Sequence, residues 1–203
     1  APFIKAQAES IARQNVYVEF FPIIGKGVFG YIKSALRIKQ FVVKNNYDII
    51  HAHYTLAGWS AVLAFTGKPI VLSLMGSDAY GNYIGVNKIA FFSRFQILLT
   101  YLIQPFVSGI ISKTEHINSF VYLKKKSAVI PNGIDLVKIE KAWYQRKEKS
   151  DIDKSKQNIL FLGNKENVRK NYKLLQDAIS IIGDNHIKIL TPYPINHNMV
   201  FHY

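Results

Sequence analysis

The sequence has 203 residues, with 26 Lys and Arg against 13 Asp and Glu, which gives a formal net charge of +13. It is 49% hydrophobic and 13% aromatic. This composition excludes a disordered polybasic tail, because nearly half of the residues are available for a buried core. The sequence contains no cysteine, which excludes disulfides and cysteine-ligated metals. Its length suits one or two domains.

The positive charge is spread along the chain. Residues 1–102 carry a net charge of +6 and residues 103–203 a net charge of +7, and the longest basic run is Lys124–Lys126. This distribution lacks the concentrated footprint of a protein that binds nucleic acid specifically. It fits a protein at an anionic membrane surface and one that binds phosphate-bearing ligands equally well. Non-specific nucleic acid binding is the third alternative, and its affinity would fall steeply with salt.

The apolar residues alternate between helical and strand periodicity. In chain order, the pattern predicts a helix over residues 3–14, a strand over 16–21, a helix over 29–44, a strand over 48–53, a helix over 57–65, a strand over 69–74, a long helix that ends near residue 106, a strand over 109–112, a helix over 115–123 and a strand over 128–130. The strands are short apolar runs such as Ile70-Val71-Leu72, as expected when both faces of a parallel sheet are covered. This order predicts an α/β fold with a doubly wound, Rossmann-like parallel sheet.

The most apolar stretch covers residues 89–111. Polar residues and a proline interrupt it, whereas a membrane-spanning helix needs about 20 mostly apolar residues. Its large apolar residues are spaced to share one broad helical face: Phe91, Phe92, Phe95, Leu98, Leu99 and Leu102. We expect this face to pack against the core of the α/β domain. The alternative is that part of it contacts lipid or a lipid-linked substrate.

The character of the sequence changes after the turn signal at residues 131–133. Residues 141–156 are rich in charge and predict an exposed linker or surface helix, and a strand over 158–162, a helix over 170–182 and a strand over 186–190 follow. One βαβ unit is too small to be stable alone, and the first helix lacks the strand that normally precedes it. We therefore expect an incomplete chain, with a Rossmann-like domain over residues 1–137, a linker over 138–157 and the start of a second Rossmann-like domain over 158–203.

Gly25-Lys26-Gly27-Val28-Phe29-Gly30 matches the GxGxxG pattern of dinucleotide-binding sites, between a predicted strand and a predicted helix. The acidic residue expected about 20 positions later would be Asp48, but Asp48 begins its strand, too far from the carboxyl end to reach a ligand. A flexible loop at the mouth of the sheet explains the glycines better. A non-catalytic nucleotide-binding module that uses Gly25–Gly30 is the alternative function.

Two patterns resemble the beginning of a metal site. Asp151-Ile152-Asp153 is a DxD sequence, but it lies in a lysine-rich segment where a solvated charge run is the simpler explanation. His51 and His53, two residues apart on a predicted strand, point to the same face. No third ligand lies near them in sequence, so they predict a polar cleft lining. We expect no metal and no other cofactor.

Ligands of open α/β sheets bind beyond the carboxyl ends of the strands. His51-Ala52-His53-Tyr54 and Met75-Gly76-Ser77-Asp78 should therefore flank one crevice. Residues in these segments also have purely structural explanations: Gly76 could be required only for the backbone conformation of the turn, and Asp78 could cap the next helix. The predicted cleft residues are His51, His53, Tyr54, Met75, Gly76 and Ser77.

Five sequence landmarks follow one another along the chain. They are Asp48-Ile-Ile-His-Ala-His53, Gly67-Lys-Pro-Ile-Val-Leu-Ser-Leu-Met-Gly-Ser-Asp78, Ile111-Ser-Lys113, Val129-Ile-Pro-Asn-Gly-Ile-Asp135, and Ile159-Leu-Phe-Leu-Gly163 followed by Arg169-Lys170-Asn171. Together they resemble the group 1 glycosyltransferases, which are retaining enzymes with the GT-B fold. The resemblance implies two Rossmann-like domains that face a cleft, with the acceptor on the first and a sugar nucleotide on the second. It also implies a metal-independent transferase of the hexosyltransferase type.

The resemblance further implies roles for individual residues. Lys170 matches the family's phosphate lysine, with Arg169 as its neighbour and rival, and such cations stabilise the departing diphosphate. Asp78 is the third predicted catalytic residue. Donor binding is predicted for Gly163, Asn164 and Lys165, and a hinge for Asn132 and Gly133.

The sequence departs from the family pattern at three places. Met75 stands where many members have a histidine, so only backbone groups could act there, and Asn164 replaces a common arginine. The glutamate pair that grips the donor and the first glycine-rich loop are absent from the 203 residues. We therefore expect this chain alone to have no transferase activity.

The expected function is sugar transfer from a nucleotide-sugar donor to a glycan or lipid-linked acceptor, in the synthesis of cell-surface polysaccharide or glycoconjugates. The first residues lack the charged-then-apolar pattern of an export signal. The expected location is therefore the cytoplasm, with peripheral contact to an anionic membrane at its inner face. No specific nucleic acid partner is expected.

Overall fold

The computed structural model describes residues 2–25, 27–85, 88–144, 152–183 and 186–192. The chain divides into two compact units. We call Ala8–Asn82 with Asn87–Asn132 the sheet unit, and Ala1–Gln7, Tyr83–Val86 and Gly133–Tyr203 the second unit.

Helices and strands alternate along the described residues. The helices are α1 Pro2–Ala12, α2 Gly27–Asn45, α3 Thr55–Leu63, α4 Ser77–Tyr80, α5 Phe91–Ile103, α6 Glu115–Ser119, α7 Leu136–Tyr144 and α8 Tyr172–Ile182, with 3₁₀ turns at Gln104–Phe106, Lys124–Lys126 and Val168–Lys170. The strands are β1 Ile50–His53, β2 Ile70–Ser73, β3 Tyr83–Gly85, β4 Lys88–Ile89, β5 Gly109–Ser112, β6 Ser127–Val129, β7 Gln157–Leu160 and β8 Ile187–Leu190.

The sheet unit is built on a four-stranded parallel sheet in the order β1-β2-β5-β6. Ala52 of β1 lies beside Leu72 of β2, and Leu72 lies beside Ile110 of β5. Helices connect these strands, as parallel strands require, because a parallel pair cannot be joined by a tight turn. The predicted Rossmann-like α/β fold is confirmed.

The core of this unit lies between the sheet and the helices α3 and α5. Leu72 and Ile103 are completely buried in it. Gly58 of α3 allows this contact, because a Cβ atom at that position would lie 2.8 Å from Ile103 Cδ1 and 3.0 Å from Leu72 Cδ1. A second apolar cluster joins α2 to Ala64, and the side chain of Ile50 packs against both clusters.

The strand predicted over residues 16–21 is wrong, because these residues have no regular structure. Its apolar pattern indicated burial, yet Tyr17 is 78% exposed and Phe20 is also exposed. Only Phe21, with Ile23 beyond it, packs against the α2 cluster. A strand is stabilised by a hydrogen-bonded neighbour, and none of the described residues pairs with the outer edge of β1.

The helix predicted over residues 115–123 is shorter than expected and ends at Ser119. The backbone N–H groups of Tyr122 and Leu123 donate to Gln104 Oε1 at 3.0 and 3.2 Å instead of continuing the helix. A buried side-chain acceptor elsewhere in the chain therefore ends α6, which local sequence could not reveal.

The predicted burial of the broad face of α5 is also wrong. Phe91 is 80% exposed and Phe92 is 84% exposed, and Phe95, Leu98 and Leu102 are exposed as well. The buried residues of this helix are Ser93, Thr100 and Ile103. The polar side chains face inward because they have partners there: Ser93 Oγ accepts from Asn82 N at 3.0 Å, and Thr100 Oγ1 donates to the carbonyl of Asp78 at 2.7 Å.

In the second unit, β7 and β8 pair in parallel, with Ile159 beside Ile189, and α8 connects them. Leu174 and Ile181 of α8 are largely exposed. Helix α7 begins at Leu136, ahead of the charged segment predicted from residue 141, and part of that segment lies outside the described residues. Among the helices that the structure describes, none is both long and apolar enough to cross a membrane.

Candidate functional site

The carboxyl ends of β1, β2 and β5 meet at one edge of the sheet. His53 lies beside Ser73, and Ser73 lies beside Ile111. The backbone continues this alignment past the strands, because Tyr54 N–H donates to Ser73 O at 3.0 Å and Leu74 N–H donates to Ile111 O at 2.9 Å. The segments predicted to flank a crevice are therefore neighbours in the structure.

His51 and His53 lie side by side at this edge. Their ring centroids are 4.4 Å apart, and His51 Nε2 lies 2.8 Å from Ser73 Oγ. Burial and the nearby charges of His51 and Lys113 lower the pKa of His53 to about 4. Burial, with the charge of Lys113, also lowers the pKa of His51. Both imidazoles are therefore neutral near pH 7 and can donate hydrogen bonds without carrying charge.

Asp78 is completely buried below the predicted cleft residues. Its Oδ1 accepts from Met75 N–H at 2.9 Å, and its Oδ2 accepts from Thr55 N–H at 3.0 Å and the Thr55 hydroxyl at 3.3 Å. Thr55 Oγ1 also lies 2.7 Å from Thr100 Oγ1 on α5. Burial raises the pKa of Asp78, while these hydrogen bonds act in the opposite direction. The carboxylate thus holds the turns after β1 and β2 together, which is a positioning role.

The backbone at the cleft is unusual at two positions. Tyr54 has φ +84° and ψ 140°, a conformation that costs a non-glycine residue about 1–3 kcal/mol. Gly76 has φ +106°, and a Cβ atom there would lie 2.8 Å from Tyr80 Oη. Only glycine fits at position 76, so the turn that presents Met75 and Ser77 depends on it.

The residues predicted to bind the donor lie together in the second unit. Gly163 lies three residues after the end of β7. A Cβ atom on Gly163 would lie 2.9 Å from Lys170 Cγ. The glycine therefore lets the aliphatic part of Lys170 lie across the strand end. Asn164 Oδ1 accepts from Glu166 N–H at 2.9 Å, and Lys165 Nζ lies 5.1 Å from the centroid of the Tyr172 ring. Arg169 lies in the same 3₁₀ turn as Lys170.

The predicted hinge residues lie where the two compact units divide, between Asn132 and Gly133. Both are exposed, and nothing lies within 4 Å of the Cβ position of Gly133. Their role as a hinge stays a prediction.

The two weaker motifs have local structural explanations in the described residues. Gly25 and Gly30 pack backbone against backbone, since a Cβ atom at Gly25 would lie 2.8 Å from Gly30 Cα. Lys26 lies outside the described residues, and the strand that a dinucleotide fingerprint requires before it is missing. Asp151 also lies outside them, and Asp153 Oδ1 accepts from the Ser155 hydroxyl at 2.6 Å in a local turn.

The sequence-based prediction missed three contributors to the site. Lys113 directly follows β5, so the rule that ligands bind at strand carboxyl ends could have found it. Ser73, which contacts His51, ends β2 and carried the same signal. No sequence signal pointed to Thr100, because it lies on helix α5, 45 residues away in sequence from Thr55, the residue that it contacts.

The fold and the strand-end cluster define a Rossmann-like domain with a polar site at its ligand-binding edge. Residues 4–113 match the family model described as glycosyl transferase 4-like. This match covers more than half of the chain, and the chain belongs to that family. A search of curated proteins found no match.

Two solved structures are similar to this one. A glycosyltransferase from Rickettsia africae ESF-5 has 14% sequence identity and a TM-score of 0.48, over 95% of this chain and 58% of that chain. S. aureus MnaA, solved with UDP, has 16% identity and a TM-score of 0.50, over 94% of this chain and 52% of its own. The second similarity supports the fold. The chain spans between half and three fifths of the length of these two proteins.

Proposed function

We propose that this protein is a glycosyltransferase of the hexosyltransferase type, which transfers a sugar from a nucleotide-sugar donor with retention of configuration and without a metal. The observation that carries the proposal is the family match over residues 4–113, which contains the strand ends where the imidazoles and Lys113 meet. The UDP held by S. aureus MnaA is consistent with a nucleotide-sugar donor.

The donor side of the proposal rests on the loop after β7. In sugar transfer, the bond from the anomeric carbon to the diphosphate oxygen breaks, and negative charge develops on the diphosphate. A cation close to that oxygen stabilises the transition state more than the ground state. Lys170, an exposed residue whose aliphatic stem lies against Gly163, suits this role. Arg169 remains its rival, and Gly163, Asn164 and Lys165 complete the proposed loop.

The acceptor side rests on the cleft of the sheet unit. The neutral imidazoles of His51 and His53 can donate to an acceptor oxygen, and Tyr54 and the turn at Gly76 and Ser77 frame it. Met75 has no imidazole to offer, so its backbone is the part that remains available. Asp78 contributes by fixing these turns, since its carboxylate is already occupied by Met75 and Thr55.

A lipid-linked acceptor, and peripheral contact with an anionic membrane, are supported by the surface of α5. The exposed apolar residues Phe91, Phe92, Phe95, Leu98 and Leu102 lie on this helix. A basic turn, Lys124–Lys126, lies at its carboxyl-terminal end, because Lys126 Nζ donates to Pro105 O at 3.1 Å and Val107 O at 2.9 Å. An exposed apolar helix face with lysines near one end is the pattern of a surface that binds anionic lipid. Such an acceptor fits the synthesis of cell-surface polysaccharide or glycoconjugates.

Sugar transfer can be tested on the protein expressed as its complete reading frame. Radiolabelled UDP-sugars are supplied with a lipid extract of the source cells, and labelled product is counted for wild type, Lys170→Ala and Lys173→Ala. Loss of a charge-assisted contact of about 1.5–3 kcal/mol should lower kcat by about 10–100-fold in Lys170→Ala. Lys173 is the matched control, since it is ion-paired with Asp177 at 3.0 Å on the exposed face of α8.

Equal rates in the two lysine variants would show that Lys170 does not contact the donor. Absence of label transfer from every nucleotide sugar offered, with the protein folded, would overturn the proposed activity itself.

A further inference from the structure

We propose that Lys113, His51 and His53 form a binding site for a phosphate group, at the carboxyl ends of β1 and β5. The interpretation of this phosphate as part of the acceptor rests on the proposed function. The existence of the site does not, because it follows from the sheet unit alone.

The strongest indication is the environment of Lys113. The residue directly follows β5 and is only 9% exposed. Its stem packs inside the protein while the ammonium group at its tip still reaches water, which fixes the position of the charge at the strand ends. In the part of the chain that the structure describes, the Lys113 ammonium has neither an ion pair nor a hydrogen bond, and burial lowers its pKa. The fold therefore holds a cation in place without neutralising it.

The two imidazoles add hydrogen-bonding atoms that also lack protein partners. His53 Nδ1 is buried and has no hydrogen bond within the described residues. Burying a nitrogen lone pair without a partner costs less free energy than burying an N–H group without one. We therefore place the lone pair on His53 Nδ1 and the proton on Nε2, from which it can be donated to a ligand. His51 engages Ser73 through Nε2, which leaves Nδ1 available. The three residues together offer up to two imidazole nitrogens and one ammonium group.

The charge around these groups selects an anion. Burial is the main cause that lowers the pKa of both imidazoles, and the charge of Lys113 adds to it at each ring. A metal ion would be repelled by Lys113, and the described residues contain no group of three or more metal-ligating side chains. A sugar hydroxyl could accept a hydrogen bond but would leave the ammonium charge uncompensated. A phosphate neutralises Lys113 and accepts from the imidazoles at the same time.

The site can be tested by titrating the protein with inorganic phosphate and, separately, with methyl phosphate, while the ring C–H resonances of His51 and His53 are followed by NMR. Both resonances should shift with saturation. Lys113→Met should weaken binding at least about tenfold, as expected for one charge-assisted contact. Lys39→Met is the matched control, since it removes the same charge from an exposed lysine on α2 of the same unit, and it should leave binding unchanged.

Stability provides a second measurement on the same variants. Lys113→Met and Lys39→Met should both unfold close to the Tm of wild type, because each replaces a lysine by an apolar side chain of similar length, so that weaker phosphate binding is not a loss of fold. His53→Gln, which keeps a donor but not the ring, should weaken phosphate binding without loss of the fold.

The proposal is overturned if phosphate leaves both imidazole resonances unchanged, or if Lys113→Met binds phosphate as wild type does. UDP is titrated in the same way as a third ligand. If UDP binds and Lys113→Met abolishes its binding, the phosphate site belongs to the donor, and the acceptor interpretation is wrong. Phosphate binding that depends on Lys113 in a protein without transferase activity would retain the site and reject the proposed function.

Discussion

At the scale of single residues, the carboxylate of Asp78 connects parts of the chain that are far apart in sequence. It accepts hydrogen bonds from the turn after β1 and the turn after β2, while its backbone carbonyl accepts from Thr100 on α5. The family resemblance predicted a catalytic role for Asp78, and that role stays a prediction. The geometry supports a role in positioning the cleft.

Asp78→Asn should destabilise the protein by about 1–3 kcal/mol, because the amide NH₂ would face one of the N–H donors that the carboxylate now satisfies. The free energy of unfolding in urea measures this. Asp177→Asn is the control: its exposed pair with Lys173 on α8 contributes at most about 0.5 kcal/mol. An Asp78→Asn variant with unchanged stability but no activity would favour the catalytic role instead.

The imidazoles predict how stability depends on pH. The pKa of His53 is about 4 in the folded protein against its usual 6.5, and that of His51 is also lowered, first by burial and then by positive charge. Between these values the unfolded chain binds more protons than the folded one, so stability rises with pH across this window and is lost again as pH falls. Thermal unfolding from about pH 4 to about pH 7 should show a rising Tm.

His53→Gln provides the comparison for this pH effect, because glutamine does not titrate. Its Tm should rise less steeply with pH over the same window. Identical pH profiles for wild type and His53→Gln would show that His53 titrates normally in the folded state.

At the scale of elements, α5 shows what hydrophobic periodicity can and cannot decide. The spacing of its aromatic and aliphatic residues identified one broad apolar face. Which face packs inward was decided by Ser93, Thr100 and Ile103, whose partners come from other elements. The apolar face of α5 is left exposed, and the basic turn Lys124–Lys126 lies near the carboxyl-terminal end of the helix.

Membrane binding by this face can be tested with vesicles. The double variant Phe91→Ser, Phe92→Ser should reduce sedimentation with phosphatidylglycerol vesicles by about tenfold or more, since even partial burial of a Phe side chain contributes on the order of 1 kcal/mol. Phe29→Ser, at an 85% exposed position on α2, is the control and should bind as wild type does. Equal loss in both variants, or binding that neutral vesicles match, would reject α5 as the contact surface.

At the scale of the whole molecule, buried apolar side chains are concentrated in one unit. The buried apolar residues of the described chain, from Ala8 to Val121, belong to the sheet unit. The described residues of the second unit contain none, and α8 exposes Leu174 and Ile181. A pair of strands without a buried face is marginally stable.

Hydrogen exchange should therefore differ between the units. Amides of β2 and β5, at the centre of the four-stranded sheet, should exchange only on global unfolding. Amides of β7 and β8 should exchange at least roughly tenfold faster, which corresponds to an opening free energy lower by about 1.4 kcal/mol. Mass spectrometry of peptides from each sheet measures this, and equal protection of β7 and β2 would contradict it.

The alternation of helices and strands could be predicted from the sequence because each element carries its own period and its own turn signals. The four strands of the parallel sheet and the helices α2 and α3 follow directly from these signals. Residues 16–21 have the composition of a strand, but none of the described strands pairs with them. Helix α6 ends early because the Gln104 side chain accepts hydrogen bonds from the next two backbone N–H groups. Such outcomes depend on long-range hydrogen bonds that no local window contains.

By itself, the sequence determined the α/β class, the strand ends that carry His51 and His53, and the family landmarks. The tertiary structure decided what these positions mean. It buried Asp78 among three segments and turned the apolar face of α5 outward. It also placed Lys113 at the strand ends, where no described residue forms an ion pair or a hydrogen bond with its ammonium group. The physical reason is that periodicity and turn chemistry are local, whereas burial and hydrogen-bond pairing depend on which distant residues arrive at the same place.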